Sequence, residues 1–220
     1  MELLMVVFFL SIFALAVIIN IVVLRSAVPL KSTLSKAKLA ETKVNDALSM
    51  LDMKSYVLFE NVILPSRGNT AHTEIDHIVV SPYGIFCIET KAHSGSIYAY
   101  ERNRDWAQYL RGQKYTFNSP HRQNYKHIKA IEDLVGSDLR AAVHSYVVFP
   151  NATQVVTDSN FVYCNLQSFV AHISRHKQPV YNIAECTRIM RALAYASSQK
   201  DALLSVHIDE VQSYLATKLV

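Results

Sequence analysis

The chain has 220 residues, half of them hydrophobic, and a formal net charge of +4 at pH 7. This length accommodates one domain of ordinary size plus an appendage, and the mildly basic balance permits nucleic-acid binding without requiring it. The three cysteines, Cys87, Cys164 and Cys186, are widely spaced and form no Cys-x-x-Cys pair. This spacing argues against a zinc site and against a disulfide framework.

An apolar run opens the chain. Residues 3–24 contain no charge, Gly or Pro, and about 20 such residues cross the hydrocarbon core of a bilayer as a helix. No Lys or Arg precedes the run, whereas four basic residues follow it: Arg25, Lys31, Lys36 and Lys38. This asymmetry predicts a single-pass anchor in the inner or plasma membrane, with a short N-terminus outside and the rest of the chain in the cytoplasm. A cleaved signal peptide is the alternative, against which the length of the run and its uncharged start both argue. We therefore expect an anchor over residues 1–28 and a folded domain over residues 29–220.

The domain is predicted to begin with an amphipathic helix over residues 31–52. Its apolar positions repeat at three- and four-residue spacing: Val44, Leu48 and Leu51. Glu41 falls at the edge of this stripe and, taken alone, is typical of an exposed helical acid paired with a lysine. A strand over residues 56–64 and a polar loop over residues 65–72 are expected next.

The segment from residue 73 to residue 91 predicts a β-hairpin. Two β-rich runs flank Ser81-Pro82-Tyr83-Gly84, in which Pro and Gly occupy turn positions. A turn centred on Pro82-Tyr83 pairs Asp76 with Glu89, and directly opposite residues share a face with Cβ atoms about 5 Å apart. Lys91 lies on the same face because side chains alternate along a strand. The hairpin is therefore expected to hold two carboxylates and one amine together at its open end.

This arrangement predicts a divalent-cation site. Like charges directly opposite one another destabilise a hairpin, and burial would force one carboxylate to take up a proton. A Mg²⁺ ion, or Mn²⁺ in its place, bound by Asp76 and Glu89 would remove that conflict, because hard cations prefer oxygen ligands. The alternative is that Asp76, Glu89 and Lys91 are solvated strand ends in which the lysine neutralises a neighbour.

Beyond Lys91 the sequence predicts a short strand over residues 97–100 and a second hairpin, in which residues 106–110 pair with residues 114–117. Trp106, the single Trp of the chain, is expected to be a packing residue rather than a base-stacking one. A basic rim lies around this hairpin and suits either backbone phosphates or plain solvent: Arg102, Arg104, Arg111 and Lys114.

A helix is predicted to start at Pro120 and to end before Gly136. Its expected apolar face consists of Tyr125, Ile128, Ile131, Leu134 and Val135. Short strands over residues 145–149 and 161–164 follow, and then helices over residues 166–175, 183–198 and 201–218. These elements should complete the same domain.

The central motifs resemble a known family. Asp76, followed after a spacer by Glu89-Thr90-Lys91, resembles the catalytic core of the PD-(D/E)xK nuclease superfamily. Residues 74–86 together with 88–91 resemble the nuclease-related domain, NERD. Two downstream motifs agree in order with that family: Asp105-Trp106-Ala107-Gln108, and Asn118-Ser119-Pro120-His121-Arg122-Gln123-Asn124 with His127-Ile128 beyond it. The resemblance covers about residues 40 to 135.

The resemblance implies an α/β fold like that of restriction endonucleases, with a mixed central sheet flanked by helices. The core would span about residues 40–150, with a C-terminal helical completion over residues 151–220. In similar nucleases a helical acid that precedes the core strands joins the metal site, which here assigns Glu41 to it. A Gln on the later helix points back to the site in such nucleases, which assigns Gln123.

The expected activity is Mg²⁺-dependent hydrolysis of DNA phosphodiester bonds with little sequence preference; RNA is a further substrate class. The expected site residues are Glu41, Asp76, Glu89, Lys91 and Gln123, with Asp76 and Glu89 as metal ligands. A second hypothesis is a catalytically inactive, membrane-tethered DNA-binding or interaction module. A third is a membrane protein whose globular part serves only for docking.

Overall fold

The computed structural model describes residues 35–67, 70–136 and 142–218. The predicted membrane anchor over residues 3–24 and the predicted domain boundary at residue 28 lie outside these ranges. Within them, no helix has both the length and the apolar character needed to cross a membrane. The described residues from Ala40 onward form a compact unit.

The described elements form a mixed α/β fold, in which six strands precede α2 and three strands precede the last three helices. A first helix, α1, covers residues 35–48. The strands are β1 (Val57–Pro65), β2 (His72–Ser81), β3 (Gly84–Thr90), β4 (Ser94–Ala99), β5 (Asp105–Leu110), β6 (Gln113–Asn118), β7 (Val143–Val148), β8 (Asn151–Thr157) and β9 (Val162–Tyr163). The further helices are α2 (His121–Val135), α3 (Leu166–Ser174), α4 (Ile183–Ser198) and α5 (Lys200–Lys218).

The first sheet has five strands in the order β1-β2-β3-β7-β9. Strands β1, β2 and β3 are antiparallel neighbours, whereas β7 runs parallel to β3 and β9 runs parallel to β7. The predicted hairpin is confirmed, with Ser81 opposite Gly84 and His77 opposite Ile88. Every residue of β3 is buried, as expected for a central strand covered on both faces.

Helices cover both faces of this sheet. On one face, apolar side chains of β2 and β3 pack against α2 and α4: Ile75, Ile78, Ile85, Ile131, Ile189 and Leu193. On the other face, α1 and α3 pack against the alternate positions: Val44, Leu48, Val79, Phe86, Ile88 and Phe169. The division of β2 and β3 between the two cores follows from the alternation of side chains along a strand.

A second sheet of four strands, in the order β6-β5-β4-β8, was not predicted. The predicted second hairpin forms its β5–β6 half, and β8 runs parallel to β4. Strand β8 has no buried residue, so it lacks the apolar alternation by which a strand is recognised in a sequence. Trp106 is buried in the hydrophobic cluster on which this sheet packs, beside Phe117 and Phe149. This position confirms its packing role.

Candidate active site

Asp76 lies where the β2–β3 ladder ends. The last paired residues are His77 and Ile88, so the expected pairing of Asp76 with Glu89 does not form as a ladder pair. Instead, the Asp76 carboxylate turns into the ladder, and its Oδ2 accepts a hydrogen bond of 2.7 Å from the Thr90 backbone N–H. The carboxylate thereby occupies a position that a backbone carbonyl would take in a continued ladder.

The strand geometry changes at this point. Ile75 and Ile78 both belong to the core beneath α2 and α4, although residues three apart on a regular strand face opposite sides. On β1, Asn61 at the level of Asp76 has a positive φ of 50°. Asp76 therefore lies at a local break in side-chain alternation, and this break redirects its carboxylate.

Glu89 is a buried carboxylate with two cationic or proton-donating partners. Its side chain is 2% exposed. Its Oε1 lies 2.7 Å from Lys91 Nζ, and its Oε2 lies 3.0 Å from His127 Nε2. Burial raises the pKa of Glu89, but the hydrogen bond from His127 and the charge of Lys91 outweigh it, so that the pKa lies below its usual range. Glu89 is therefore ionised at neutral pH.

Lys91, directly after β3, links Glu89 to α2. Its Nζ donates to Gln123 Oε1 at 2.9 Å while it contacts Glu89. Gln123 lies in the first turn of α2, exposed to solvent, on the helix that also carries His127. The lysine head is thus held at a fixed place between a carboxylate and an amide.

The surroundings of Asp76 disfavour its ionised form. Burial raises its pKa well above the usual range, the charges of Glu89 and Glu41 raise it further, and the Thr90 N–H and Lys91 oppose the rise. Glu41, on α1, is therefore close enough to act on Asp76 through its charge. The charges of Glu89 and Glu41 both disfavour the ionised form of Asp76, and Lys91 alone does not offset them.

The donors available to a metal ion are oxygen atoms. Within the described ranges, no group of three or more His, Cys, Asp or Glu side chains is arranged to hold a metal ion. Asp76 and Glu89 supply two carboxylates, which is the number that proteins commonly offer to Mg²⁺ when water and substrate phosphates complete its coordination.

His127 and Asn124 are site-supporting residues that we did not predict as such. His127 is 1% exposed, and its Nδ1 lies 3.0 Å from Thr73 Oγ1. Nε2 donates to the ionised Glu89, and Nδ1 is the hydrogen-bond partner of the Thr73 hydroxyl. The four-residue spacing from Gln123 was the available signal, because it places both side chains on one face of a helix.

Asn124 ties the helix to the sheet. Its Oδ1 accepts from the Cys87 thiol at 3.3 Å, and its Nδ2 donates to the Tyr146 carbonyl at 2.8 Å. The amide thereby joins α2 to both β3 and β7. It fixes the position of α2, and so of Gln123 and His127, along β3.

Residues of the loop before β2 are held by structural contacts. Lys126 Nζ donates to Thr70 Oγ1 at 2.6 Å. Arg67 pairs with Asp133 at 3.0 Å, and His72 Nδ1 lies 3.0 Å from Glu210 Oε1. These contacts tie the loop and the start of β2 to α2 and α5.

The family model described as the nuclease-related domain matches residues 36–150, just over half of the chain. The chain belongs to the nuclease-related domain family. All five predicted site residues lie inside the matched region: Glu41, Asp76, Glu89, Lys91 and Gln123. Membership of this family suggests a nuclease-like function.

A curated relative of this nuclease-related domain is an uncharacterized protein of Bacillus anthracis. The two are 42% identical over 129 residues, which cover 58% of this chain and 60% of the relative. The matched part thus falls short of two thirds of the relative's length. No solved structure matches the chain significantly.

Proposed function

We propose that the protein is a membrane-anchored, Mg²⁺-dependent nuclease that hydrolyses DNA phosphodiester bonds with little sequence specificity. The observation that carries this proposal is the convergence of Asp76, Glu89 and Lys91 at the open end of one hairpin, with the lysine held by Gln123 at 2.9 Å. In this order these three residues match the core motif of the PD-(D/E)xK nucleases, and two carboxylates with a lysine can hold a metal ion and stabilise negative charge that develops on a phosphate.

A Mg²⁺ ion fits the donor set. Asp76 and Glu89 would hold it through carboxylate oxygens, with the Thr90 carbonyl as a further oxygen donor at the same strand end. Burial and then the neighbouring carboxylates raise the pKa of Asp76, and a bound divalent cation would favour its ionised form. When bound, the ion would polarise the scissile phosphate and lower the pKa of a water molecule.

The chain's own residues have distinct roles in this proposal. Lys91 would orient the attacking water or stabilise the charge that develops on the phosphate. Gln123 would hold the lysine head in place through the hydrogen bond described above. Glu41, whose charge acts on Asp76, would complete the outer part of the site.

The low sequence specificity follows from the kind of contact expected. Basic side chains around the β5–β6 hairpin suit the phosphate backbone: Arg102, Arg104, Arg111 and Lys114. Phosphate contacts position a nucleic acid but carry no direct information on its bases.

A cleavage assay tests the proposal. The full-length chain is incubated with supercoiled plasmid, linear DNA or RNA in the presence of Mg²⁺ or Mn²⁺. We expect the parent to cleave DNA, and Asp76→Ala and Lys91→Ala to lose at least about 100-fold in rate, the order of effect seen for one lost electrostatic group. Lys129→Ala is the matched control, because Lys129 lies on the same helix as Gln123 but pairs with Glu132 at 2.7 Å. Equal cleavage by parent and Asp76→Ala would refute the proposal.

A non-catalytic tethered module is the second candidate. The observation that favours it is that both oxygens of Glu89 are already engaged, by Lys91 and by His127. Such a module would bind DNA without cleaving it, and binding would not change when Asp76 is replaced by Ala. The same preparation, assayed for binding in a chelator and for cleavage in Mg²⁺, separates the two candidates.

The membrane anchor is proposed from the sequence. The uncharged run over residues 3–24 and the basic residues after it support a single-pass helix, with residues 29–220 as a cytoplasmic domain. A nuclease held in this way would meet nucleic acid at the inner surface of the membrane.

A further inference from the structure

The second sheet has one packed face and one open face. Its packed face contributes Ile97, Trp106 and Phe117 to a buried core. The opposite positions pair across the strands: Tyr98 with Ala107, and Tyr109 with both Ser96 and Lys114. Helices α2 to α5 make their extensive contacts with strands of the first sheet, rather than with β4, β5 or β6. The face that carries Tyr98 and Tyr109 is called the tyrosine face below.

Aromatic and basic groups are combined on the tyrosine face. The Tyr98 and Tyr109 rings meet edge to face, with centroids 5.2 Å apart. Lys114 Nζ lies 5.9 Å from the centroid of the Tyr109 ring, within cation–π range. Tyr109 is 42% exposed, so that a ring of another molecule can reach it.

Charge is distributed unevenly along this sheet. The β5–β6 turn carries Arg111, Lys114 lies near the start of β6, and residues 106–117 contain no acidic residue. At the opposite end, around the β4–β5 turn and after β8, the acidic residues Glu101, Asp105 and Asp158 outnumber the basic residues Arg102 and Arg104. A polyanion is therefore favoured at the β5–β6 end.

That basic end is the one next to the candidate active site. Strand β4 starts at Ser94, three residues after Lys91. The start of β4 runs against the end of β5, so closely that a Cβ on Gly95 would lie 2.3 Å from the Tyr109 carbonyl oxygen. Tyr109 and its cross-strand partner Lys114 therefore lie at the end of the second sheet where β4 starts, and that start follows the proposed catalytic lysine by three residues.

We propose that the tyrosine face binds single-stranded nucleic acid and leads it to the Asp76–Glu89 site. The choice of a nucleic acid as ligand rests on the nuclease function proposed above. Exposed tyrosines stack on bases only when the bases are unpaired, and nearby Lys and Arg side chains neutralise the backbone. The face therefore selects an unpaired strand over an intact duplex.

The chain offers a matched pair of variants. Tyr115 is 47% exposed and lies on the same hairpin, but it pairs with Gln108 and so projects from the other side of the sheet. Binding of fluorescein-labelled single-stranded DNA, single-stranded RNA and duplex DNA of equal length is measured by anisotropy, with full-length chain in mild detergent and excess chelator. Replacement of either exposed tyrosine leaves the buried core intact.

We expect Tyr109→Ala to weaken single-strand binding about 5- to 100-fold and Tyr115→Ala to leave it within twofold of the parent. Lys114→Ala should lower the slope of log Kd against log salt by about 0.7. Comparing the affinities for single-stranded DNA and single-stranded RNA shows which sugar the tyrosine face prefers. Equal binding by Tyr109→Ala and Tyr115→Ala would overturn the proposal, as would tighter binding of duplex, or Tyr109-dependent self-association without oligonucleotide binding.

This experiment is independent of the cleavage assay. If binding depends on Tyr109 but no cleavage occurs in Mg²⁺, the proposal for the tyrosine face stands and the nuclease proposal is refuted. If cleavage depends on Asp76 but binding is unaffected by Tyr109→Ala, the nuclease proposal stands and the proposal for the tyrosine face is refuted.

Discussion

At the scale of single residues, the site is organised around the buried charge of Glu89. A carboxylate that is 2% exposed remains ionised because His127 and Lys91 each contact one of its oxygens. Removing one partner of such a buried pair costs more than the pair contributes in net stability, because the remaining charge stays buried without compensation. His127 is therefore a positioning residue for Glu89.

Replacing His127 by Ala should destabilise the protein by about 2–4 kcal/mol, measured by urea unfolding at pH 7. His121→Ala is the control on the same helix, because His121 Nε2 has no hydrogen-bond partner in the described parts of the chain. The control should lose about 1 kcal/mol, as a partly buried packing residue does. His127→Gln, which can still donate to Glu89, should recover part of the stability and of the cleavage rate. Equal losses for His127→Ala and His121→Ala would show that the contact with Glu89 does not matter.

Asp76 should show the opposite effect on stability. Asp76→Asn keeps an oxygen that can accept from the Thr90 N–H and removes a charge from a cluster that already holds Glu89 and Glu41. In the absence of divalent metal we expect the variant to be more stable by about 1 kcal/mol, or about 2–4 °C in Tm by calorimetry. Addition of Mg²⁺ should raise the Tm of the parent and leave that of Asp76→Asn unchanged. A lower Tm for the variant in chelator would contradict this account of the charge cluster.

The turn and the strand pattern predicted that Asp76, Glu89 and Lys91 lie at the same end of the hairpin, because a recognisable turn sets the register. They did not predict the break in alternation at Asp76, which turns its carboxylate towards the Thr90 N–H. Nor did they predict the burial of His127. The apolar spacing of α2 indicated Tyr125 as a core residue, but Tyr125 is 63% exposed, and Asn124 is buried in its place. Asn124 and His127 are buried because hydrogen bonds satisfy them, and a hydrophobic pattern contains no information about such bonds.

At the scale of elements, the β2–β3 turn sets the register that positions the site. Gly84 has a φ of 141°, and a Cβ at this position would lie 2.9 Å from His144 Cδ2 and 3.0 Å from the Ala142 carbonyl oxygen. The close approach of β7 to this turn therefore requires glycine.

Gly84→Ala should destabilise the protein by about 2–4 kcal/mol, since backbone strain and a steric clash combine. Gly112→Ala is the matched control in the β5–β6 turn, where φ is 76° but a Cβ would meet nothing within 4 Å. Strain alone should cost it about 1 kcal/mol. Chemical denaturation of both variants measures the difference, and similar losses would mean that the contact with β7 is unimportant.

Most elements with a strong apolar periodicity or with clear turn and helix-terminating residues were predictable, including both hairpins and the helices α2 to α5. Strand β8 was not, because its stability comes from pairing with β4 and not from burial of an apolar face. Its register shift beside Gly95 and Ser96 is likewise a tertiary feature. Pairing between strands more than 50 residues apart cannot be read from local periodicity.

At the scale of the whole molecule, the candidate site lies on the connection between the two sheets. Lys91 follows β3 directly, its backbone N–H donates to the Val148 carbonyl at 2.9 Å, and β4 of the second sheet starts at Ser94. One sheet thus carries the carboxylates, and the other starts within a few residues of the lysine. Substrate contacts on the second sheet can therefore be coupled to chemistry on the first.

The proposed anchor makes a prediction about the location of the protein. The full-length chain should sediment with membranes and resist extraction by high salt, and deletion of residues 3–24 should release the domain into the soluble fraction. A reporter fused to the C-terminus should be protected from protease added outside intact cells. Quantitative release of the full-length chain by salt would contradict a membrane-spanning anchor.

The central claim is that Asp76 and Glu89 form a divalent-cation site, and the most direct test is cation binding itself. Free Mn²⁺ is measured by electron paramagnetic resonance during titration of the full-length chain, beside Asp76→Asn, Glu89→Gln and Glu101→Gln, the last as an exposed acidic control. We predict one Mn²⁺ site in the parent and in Glu101→Gln, and its loss in both site variants. Equal affinity for Mn²⁺ in the parent and in Asp76→Asn would contradict the claim.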